Sequence, residues 1–472
     1  MRNHFKMFLT FSIGTWLRAM ISFLYTPIIS YFLVPEEFGK SAMFTMVLSI
    51  LSTVVQLGTV QAFARFFYEH NERDRAKLTW ACLLPIVSIG TIISVSLVWF
   101  EEVLSKAMFG QVYKGISFLI ITSLYLSVFQ SFNHQIVRMS KKGLTYSLIE
   151  VSNALGNVVG SIVYAALVGR TFYAIVYGTI VGYLAALSVG IQYGIAYWRF
   201  TVPELEEVKK VLKFGVPFAV LDLLYLLFAS IDRLSLRIYS TLDEIGLYSA
   251  AFKIVSVINL LQTGLVNTWV PEAYERYVRD KSDRGFFRRS QEVISFMSLS
   301  AAMVLFISRD VLFLLFRSSY RQASAIVPFL ILAPIMNLLW NTTGVGINLS
   351  NKTYLLIVVP LVANAVNYVG NSILVPYLGA RGAAISTGLS NVLYFYIRTY
   401  LSEKVFPVGY DMRRTSFGII TFICVALIGT FNRNVWINVL SGICGSIMIV
   451  CLYRKEFRFI MNELEAAVRG KS

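Results

Sequence analysis

Apolar residues fill fourteen stretches of this chain, with little polar sequence between them. They cover residues 8–33, 39–67, 78–100, 116–139, 145–168, 172–198, 214–239, 245–270, 293–316, 325–348, 354–377, 383–401, 416–431 and 435–453. A hydrocarbon core of about 30 Å needs about 20 helical residues at ~1.5 Å each. The thirteenth stretch is the short one. The pattern predicts an all-α polytopic membrane protein with about fourteen transmembrane helices. Composition strengthens this: 56% of residues are hydrophobic and 14% charged, at a mean hydropathy of +0.65. A soluble domain carries roughly 25% charge.

Lysine and arginine concentrate in alternate loops, which sets an orientation. One set holds Arg73, Arg75 and Lys77, then Arg138, Lys141 and Lys142, then Arg199, Lys209, Lys210 and Lys213. It continues through Arg276, Arg279, Lys281, Arg284, Arg288 and Arg289, Lys352, then Lys404, Arg413 and Arg414, and the tail from Arg454 to Lys471. The opposite loops are short and poorer in cations. An even number of spans then places both termini in the cytoplasm, in a multi-pass protein of the cytoplasmic (inner) membrane. Arg2 and Lys6 precede an apolar run too long for a signal peptide, which reads as the first span. The net charge of +16 is dispersed over these loops with no folded domain to present it, so positive-inside topology explains it better than nucleic-acid binding. Residues 204–213 put Leu205, Val208 and Leu212 at helical spacing and predict a short amphipathic interfacial helix between two bundles, with a plain linker as the alternative.

Soluble catalysis is nearly excluded. The sequence holds no P-loop, no strand-linked GxGxxG and no HExxH, and only His4, His70 and His134 as histidines. Cys82, Cys424, Cys444 and Cys451 fall inside predicted helices and read as small packing residues. No catalytic residue, metal ligand set or cofactor is expected.

The chain also repeats, with an offset of about 207–210 residues. Pro35-Glu36-Glu37-Phe38-Gly39 opens the second helix, as Leu242-Asp243-Glu244-Ile245-Gly246 opens the eighth. Gly58 and Gly264 follow at matching depth. Asn157-Val158-Val159-Gly160 corresponds to Asn367-Tyr368-Val369-Gly370, and Ala174 to Gly178 corresponds to Ala384 to Gly388. Helices one to six and seven to twelve then form two copies of a six-helix unit. The expected organisation is a lobe over 1–198, a cytoplasmic amphipathic linker over 199–213, a second lobe over 214–401, and two further helices with a cytoplasmic tail over 402–472. Six is even, so the copies enter from the same side, in a parallel repeat. Such folds carry substrate between their halves by alternating access.

Several motifs carry a family resemblance. Val211-Leu212-Lys213-Phe214-Gly215-Val216-Pro217 opens the seventh helix and Ser230-Ile231-Asp232-Arg233 lies near its end. Glu244-Ile245-Gly246-Leu247-Tyr248-Ser249 opens the eighth helix and Pro271-Glu272 closes it. Together they resemble the polysaccharide-biosynthesis, Wzx-like oligosaccharide flippase branch of the multidrug/oligosaccharidyl-lipid/polysaccharide exporter superfamily. The resemblance covers helices one to twelve. It implies two lobes around a central cavity and translocation of a polyprenyl-pyrophosphate-linked oligosaccharide, with membrane lipids and a polymerase or ligase as partners. Many O-antigen-type members have twelve helices. Other polysaccharide exporters and the lipid II flippase group have fourteen, as counted here. O-antigen, capsule and exopolysaccharide all stay open as the destination. A cation-coupled multidrug exporter of the same superfamily is the first rival reading. A membrane polymerase or ligase is the second, although it is expected to carry a long extracytoplasmic loop that this chain lacks.

Ionisable residues inside spans point to a transport path independently of family. Each costs ~2.5–3.5 kcal/mol at a helix centre on insertion scales and is seldom turned to lipid. Arg18 lies about ten residues into the first span, roughly 15 Å deep. Thr15, Arg18, Ser22 and Tyr25 form one polar stripe around it. Cavity lining competes there with an interhelical pair. Asp222, Tyr225 and Asp232 share a face of the seventh helix, with Arg233 beside it near the outer surface. Lys253, Ser256, Thr263 and Asn267 line the eighth, where snorkelling competes with cavity lining for Lys253. Glu150 is close enough to the cytoplasmic end to reach water. Asn337, Asn341 and Asn348 share a face of the tenth helix with Gly344. Asn153 and Asn157 on the fifth helix, and Asn364, Asn367 and Asn371 on the eleventh, read as interhelical glue. The candidate substrate-binding set is Arg18, Lys253, Asp222, Tyr25, Tyr225, Asn337 and Asn341. Taken with the resemblance, the cations hold pyrophosphate, the amides meet sugar hydroxyls, and the C-terminal lobe holds more of the intramembrane charge.

Overall fold

A computed structural model describes residues 2–72, 74–280, 283–350 and 355–468, and all of their side chains except those of 2–12, 260, 261, 263, 264, 267, 268, 356, 357, 464 and 466–468. Arg73, Lys281, Lys352, Tyr354 and Lys471, and the side chains of Arg2, His4, Lys6, Thr263 and Asn267, lie outside the described residues. Helix dominates, and no strand occurs among the described residues.

The chain forms two compact units, Met1–Arg237 and Ile238–Ser472. The first begins with α1 (Arg2–Ser30), α2 (Pro35–Gln56), α3 (Thr59–Phe66), α4 (Arg75–Trp99) and α5 (Glu101–Phe109). It continues with α6 (Ile116–Met139), α7 (Gly143–Leu167), α8 (Tyr173–Gly194) and α9 (Leu205–Tyr239). The second holds α10 (Leu242–Val255), α11 (Ile258–Arg279), α12 (Arg284–Leu314), α13 (Val327–Leu330), α14 (Leu332–Thr343) and α15 (Val345–Leu349). It closes with α16 (Leu355–Leu378), α17 (Ala380–Val405), α18 (Met412–Phe431), α19 (Val435–Leu452) and α20 (Arg454–Val468). Among the described residues, eleven helical segments are long and apolar enough to cross a membrane, against the fourteen expected. The expected first, eighth and twelfth spans are helical too, carried by α1, by α10 with α11, and by α17. The result is a multi-pass integral membrane protein.

The motif that opens the second and eighth helices has a physical explanation. In the first unit the Glu37 Oε2 accepts the Phe172 N–H at 2.6 Å, at the N-terminus of α8. In the second the Glu244 Oε2 accepts the Ala380 N–H at 2.7 Å, at the N-terminus of α17. A carboxylate there satisfies an orphan donor and complements the helix dipole. Acceptors and donors recur 207 and 208 residues apart. The helices so capped pair tightly in both units. Asn157 donates to Thr179 at 3.3 Å across α7 and α8, while Ser386 donates to the Asn367 side chain at 2.8 Å across α16 and α17. These amides are interhelical glue.

Three departures from the sequence pattern concern helix continuity. Residues 205–213 are not a separate interfacial helix; they are the first turns of α9, which runs unbroken for 35 residues. At ~1.5 Å per residue that is about 50 Å, so its N-terminal turns outreach a ~30 Å hydrocarbon core. Val208 and Val211 are buried there, whereas Leu205 is exposed. Pro271 does not close the eighth span, because α11 passes through it to Arg279. The second span breaks at Leu57 and Gly58, with φ of 48° and 67°, where Gly58 lies directly against the Gly215 backbone of α9. A Cβ on Gly58 collides with the Gly215 carbonyl, which explains both glycines. The eighth span breaks earlier, at Ser256–Val257, and Gly264 lies within α11, so it is not the counterpart of the Gly58 bend. Finally, the described part of the cationic tail, Arg454–Val468, is helical, with Arg414 donating to the Leu452 carbonyl at 2.6 Å and to Glu456 at 3.0 Å. Of the four cysteines only Cys82 is buried.

Candidate functional site

Arg18 and Glu150 of the first unit meet where α1 packs on α7. Gly14 permits the approach, since a Cβ there would strike Ser147, and its N–H donates to the Ser147 Oγ at 3.0 Å. One turn along, the Arg18 Nη1 donates to the Glu150 Oε2 at 2.6 Å. The other carboxylate oxygen lies 2.6 Å from the His134 Nε2 on α6, and the His134 ring packs on Tyr146 at 4.1 Å between centroids. Two turns further along α1, the Tyr25 hydroxyl donates to the Ser161 Oγ at 2.8 Å.

Exposure decides what this cluster can do. The Glu150 side chain is 5% exposed and that of His134 22%, whereas the Arg18 side chain is 50% exposed. Glu150 therefore does not reach water as expected, because α1 and α6 cover it from two sides. The interhelical pair expected for Arg18 is present, one nitrogen being tied to the Glu150 carboxylate, while half of the side chain is exposed. One carboxylate thus orients both an arginine and an imidazole. Sequence reasoning missed His134 because it lies only five residues before the end of α6, at Met139, and pairs sixteen residues away across a helix turn.

Asp222 and Tyr225 are not brought to this cluster. The Asp222 Oδ2 accepts from the Gln61 Nε2 of α3 at 2.7 Å, and Tyr225 is 77% exposed. Asp232 is 8% exposed, although it is expected near an interface. Since α9 up to Arg237 packs with the first unit, that unit holds Glu150, Asp222 and Asp232. Lys253 belongs to the second unit, exposed at the last turn of α10, and its carbonyl accepts from the Ser256 hydroxyl at 2.6 Å beside the helix break.

In the second unit Asn337 and Asn341 bond one another: the Asn341 Nδ2 donates to the Asn337 Oδ1 at 2.8 Å. Around them Ile335, Met336, Leu338 and Leu339 are buried, while Asn337, Trp340, Asn341 and Asn348 are half-buried. This inverts a lipid-facing helix, which shows apolar residues outward. A half-open polar face on a helix of the membrane region belongs against protein or a water-filled space. Beside it, on α17, sequence reasoning missed Tyr394 and Arg398. The Trp340 and Tyr394 ring centroids are 3.8 Å apart, and Arg398 donates to the Tyr394 hydroxyl at 3.2 Å. Trp340 was the available signal, since it lies one turn from Asn337 on the same stripe. A separate cavity of about 720 Å³ includes Trp269, Arg276, Phe286, Arg289 and Phe459 in its lining and touches none of these candidates.

Comparison with known proteins agrees with this architecture. The structure is similar to the lipid II flippase MurJ in an inward closed conformation, with a TM-score of 0.70 at 15% identity, covering 95% of this chain and 99% of that one. It is also similar to an inward-facing multidrug resistance MATE family transporter of the MOP superfamily, with a TM-score of 0.59 at 17% identity, covering 83% and 97%. An outward-facing MATE family transporter matches with a TM-score of 0.55 at 16% identity, covering 85% and 95%. At these identities the likeness shows the fold. No curated protein matches the chain by sequence. The family model of polysaccharide biosynthesis proteins matches residues 6–273, more than half of the chain, and with the capped repeat and the helical fold it settles the assignment. The chain belongs to the polysaccharide biosynthesis protein family.

Proposed function

We propose that this protein translocates a polyprenyl-pyrophosphate-linked oligosaccharide across the cytoplasmic membrane by alternating access, supplying the polymerase or ligase that builds a cell-surface polysaccharide. In this reading both termini are cytoplasmic, and the two six-helix repeats are the moving lobes. The observation that carries it is Arg18, an intramembrane guanidinium held by Glu150 yet half exposed. A pyrophosphate and its glycan cannot cross about 30 Å of hydrocarbon unaided. Arg18 offers the anion a fixed donor fork, because Glu150 and α7 fix its position and its open nitrogens suit phosphate oxygens. Lys253 supplies a second cation. Tyr25, Tyr225, Asn337 and Asn341 supply donors and acceptors for sugar hydroxyls, and Asp222 balances charge through the cycle.

The test is surface polysaccharide in a flippase-null strain, normalised to membrane protein level. Arg18→Ala abolishes it and Arg18→Lys retains part, since charge survives although the planar fork is lost. Asp222→Asn keeps shape while removing charge, which separates coupling from neutralisation. Full complementation by Arg18→Ala at normal abundance overturns the assignment. One observation favours a cation-coupled multidrug exporter instead: the buried Glu150 carboxylate lies 2.6 Å from the half-buried His134 ring in the first unit. Proton-driven efflux of cationic dyes that disappears with His134→Gln, without any restored polysaccharide, is the outcome that selects it.

A further inference from the structure

Arg398 has an environment unlike those of Arg309 and Arg414. Arg309 and Arg414 of the same unit each lie within 4.0 Å of a carboxylate, Asp310 and Glu456 respectively. Among the described residues no carboxylate comes that close to Arg398. Its guanidinium rests instead on two rings, 5.8 Å from the Trp340 centroid and 6.0 Å from that of Tyr394. The Nη1 donates to the Tyr394 hydroxyl, while the Nε is buried with no hydrogen-bond partner. Gly344 makes room for it, since a Cβ at that position would run into the Arg398 side chain. The site is therefore built for the guanidinium but leaves its charge uncompensated. Aromatic faces return only part of the cost of holding a cation away from water.

We infer that Arg398, Trp340, Tyr394, Asn337 and Asn341 form a binding subsite for a glycosyl phosphate, the charged end of a phosphate-linked saccharide. An anion completes the electrostatics that the protein leaves open. Phosphate fits the guanidinium fork better than a point contact does. The saccharide is assigned from the amides one turn away. The Asn341 Nδ2 is committed to Asn337, which fixes both amides and leaves the Asn337 Nδ2 and the Asn341 Oδ1 to a ligand. A donor beside an acceptor is what a ring hydroxyl requires, and the half-buried indole of Trp340 offers an apolar edge to the C–H face of a sugar. All five residues belong to α14 and α17 of one unit, so the subsite is complete within that unit. The inference rests on the transport reading for its biological meaning, but not for its chemistry.

The experiment titrates the purified full chain in detergent with N-acetylglucosamine 1-phosphate and with inorganic phosphate, by calorimetry and by ligand-induced thermal shift. The wild type binds the sugar phosphate more tightly than inorganic phosphate. Arg398→Gln weakens the sugar phosphate at least about tenfold, the loss expected for a charge-assisted hydrogen bond. Asn341→Leu weakens the sugar phosphate and leaves inorganic phosphate unchanged. Without ligand, Arg398→Gln melts no lower than the wild type, because an uncompensated charge has been removed. Should that variant fail to fold, Arg398→Lys keeps the charge, loses the fork and shows the same direction of loss. A wild type that binds neither probe, or an arginine variant that binds as the wild type does, overturns the subsite. Equal affinity for the two probes overturns its saccharide part. Restored surface polysaccharide alongside undiminished binding by Arg398→Gln rejects the subsite alone. Arg398-dependent binding in a chain that never restores polysaccharide rejects the transport reading alone.

Discussion

In the first unit an arginine of the membrane region lies against a carboxylate; in the second, one lies against two aromatic rings. Arg18 and Glu150 are 2.6 Å apart, with His134 closing the other side. Arg398 has Trp340 and Tyr394. The scaffolds are alike, down to the Glu37 and Glu244 caps on α8 and α17, so the difference lies in the sites themselves. A neutralised arginine keeps its geometry whether or not a ligand is present. An arginine without a counter-ion leaves the electrostatics to be completed from outside. Arg18 is anchored by a counter-ion, and Arg398 is held by aromatic faces.

The largest expected effect breaks that comparison directly. Glu150→Gln leaves Arg18 and His134 without their carboxylate, and removal of one partner from a buried pair costs ~3–5 kcal/mol. Arg18 is half exposed, and screening on that side reduces the loss to roughly 2–3 kcal/mol. Thermal denaturation in detergent measures it. Arg18→Gln combined with Glu150→Gln recovers most of the stability, because the orphaned charge goes too, and the cycle isolates the coupling. Arg398→Gln costs little by the same measurement. If Glu150→Gln is neutral while Arg398→Gln is destabilising, the roles assigned to the two arginines are reversed.

The same contrast shows what a reader of the sequence can and cannot extract. Helical segments follow from hydropathy alone, since lipid leaves the backbone no other way to satisfy itself. Glu37 and Glu244 were legible as a repeated motif, but their capping role was not, since the helix ends they cap are 135 and 136 residues away. Arg18 was legible as a cost, being a charge too deep to ignore. Its partner was not, since Glu150 is 132 residues away and the pairing depends on Gly14 letting α1 approach Ser147. Arg398 escaped for the opposite reason. It lies seven residues before Val405, the end of α17, where a long cation reads as a snorkelling residue. Only the positions of Trp340 and Tyr394 show that it is held in place. Continuity of α9 was hidden as well, because a charged stretch followed by an apolar one looks like two elements.

A second pair of variants sharpens the comparison by testing the shared scaffold. Glu37→Ala and Glu244→Ala each remove an acceptor from a helix N-terminus, a loss of ~0.5–2 kcal/mol for capping groups. The two losses should be similar but not equal. Glu37 also lies 2.6 Å from Lys40, whose side chain is 5% exposed and, among the described residues, keeps Glu36, at 2.9 Å, as its one carboxylate, beside the Tyr113 ring, when Glu37 is gone. Glu37→Ala is therefore the costlier of the two in a melting experiment. Equal losses would mean that Glu36 alone suffices for Lys40. A negligible loss at Glu244 would remove the cap as the reason for the repeated motif.

The smallest effect concerns an ion pair in water, where pairing is worth least. Glu69 lies 2.9 Å from Lys210 on the N-terminal turns of α9 and 2.6 Å from Arg65 on α3. Lys210 first, and then Arg65, hold its carboxyl below the ordinary value of 4.5. A depressed folded value means that the stabilisation is present above the unfolded pKa and is lost as pH falls through the folded one. Lys210→Met removes the larger cause. The melting temperatures of wild type and variant should therefore differ slightly at neutral pH and converge below the ordinary carboxylate value. High salt should erase the difference, because both side chains are exposed. A gap that persists unchanged on acidification would assign the contact to packing of Lys210 over Phe66, whose ring centroid lies 4.4 Å from its Nζ. The projecting end of α9 would then be held by the same kind of cation–aromatic contact that holds Arg398.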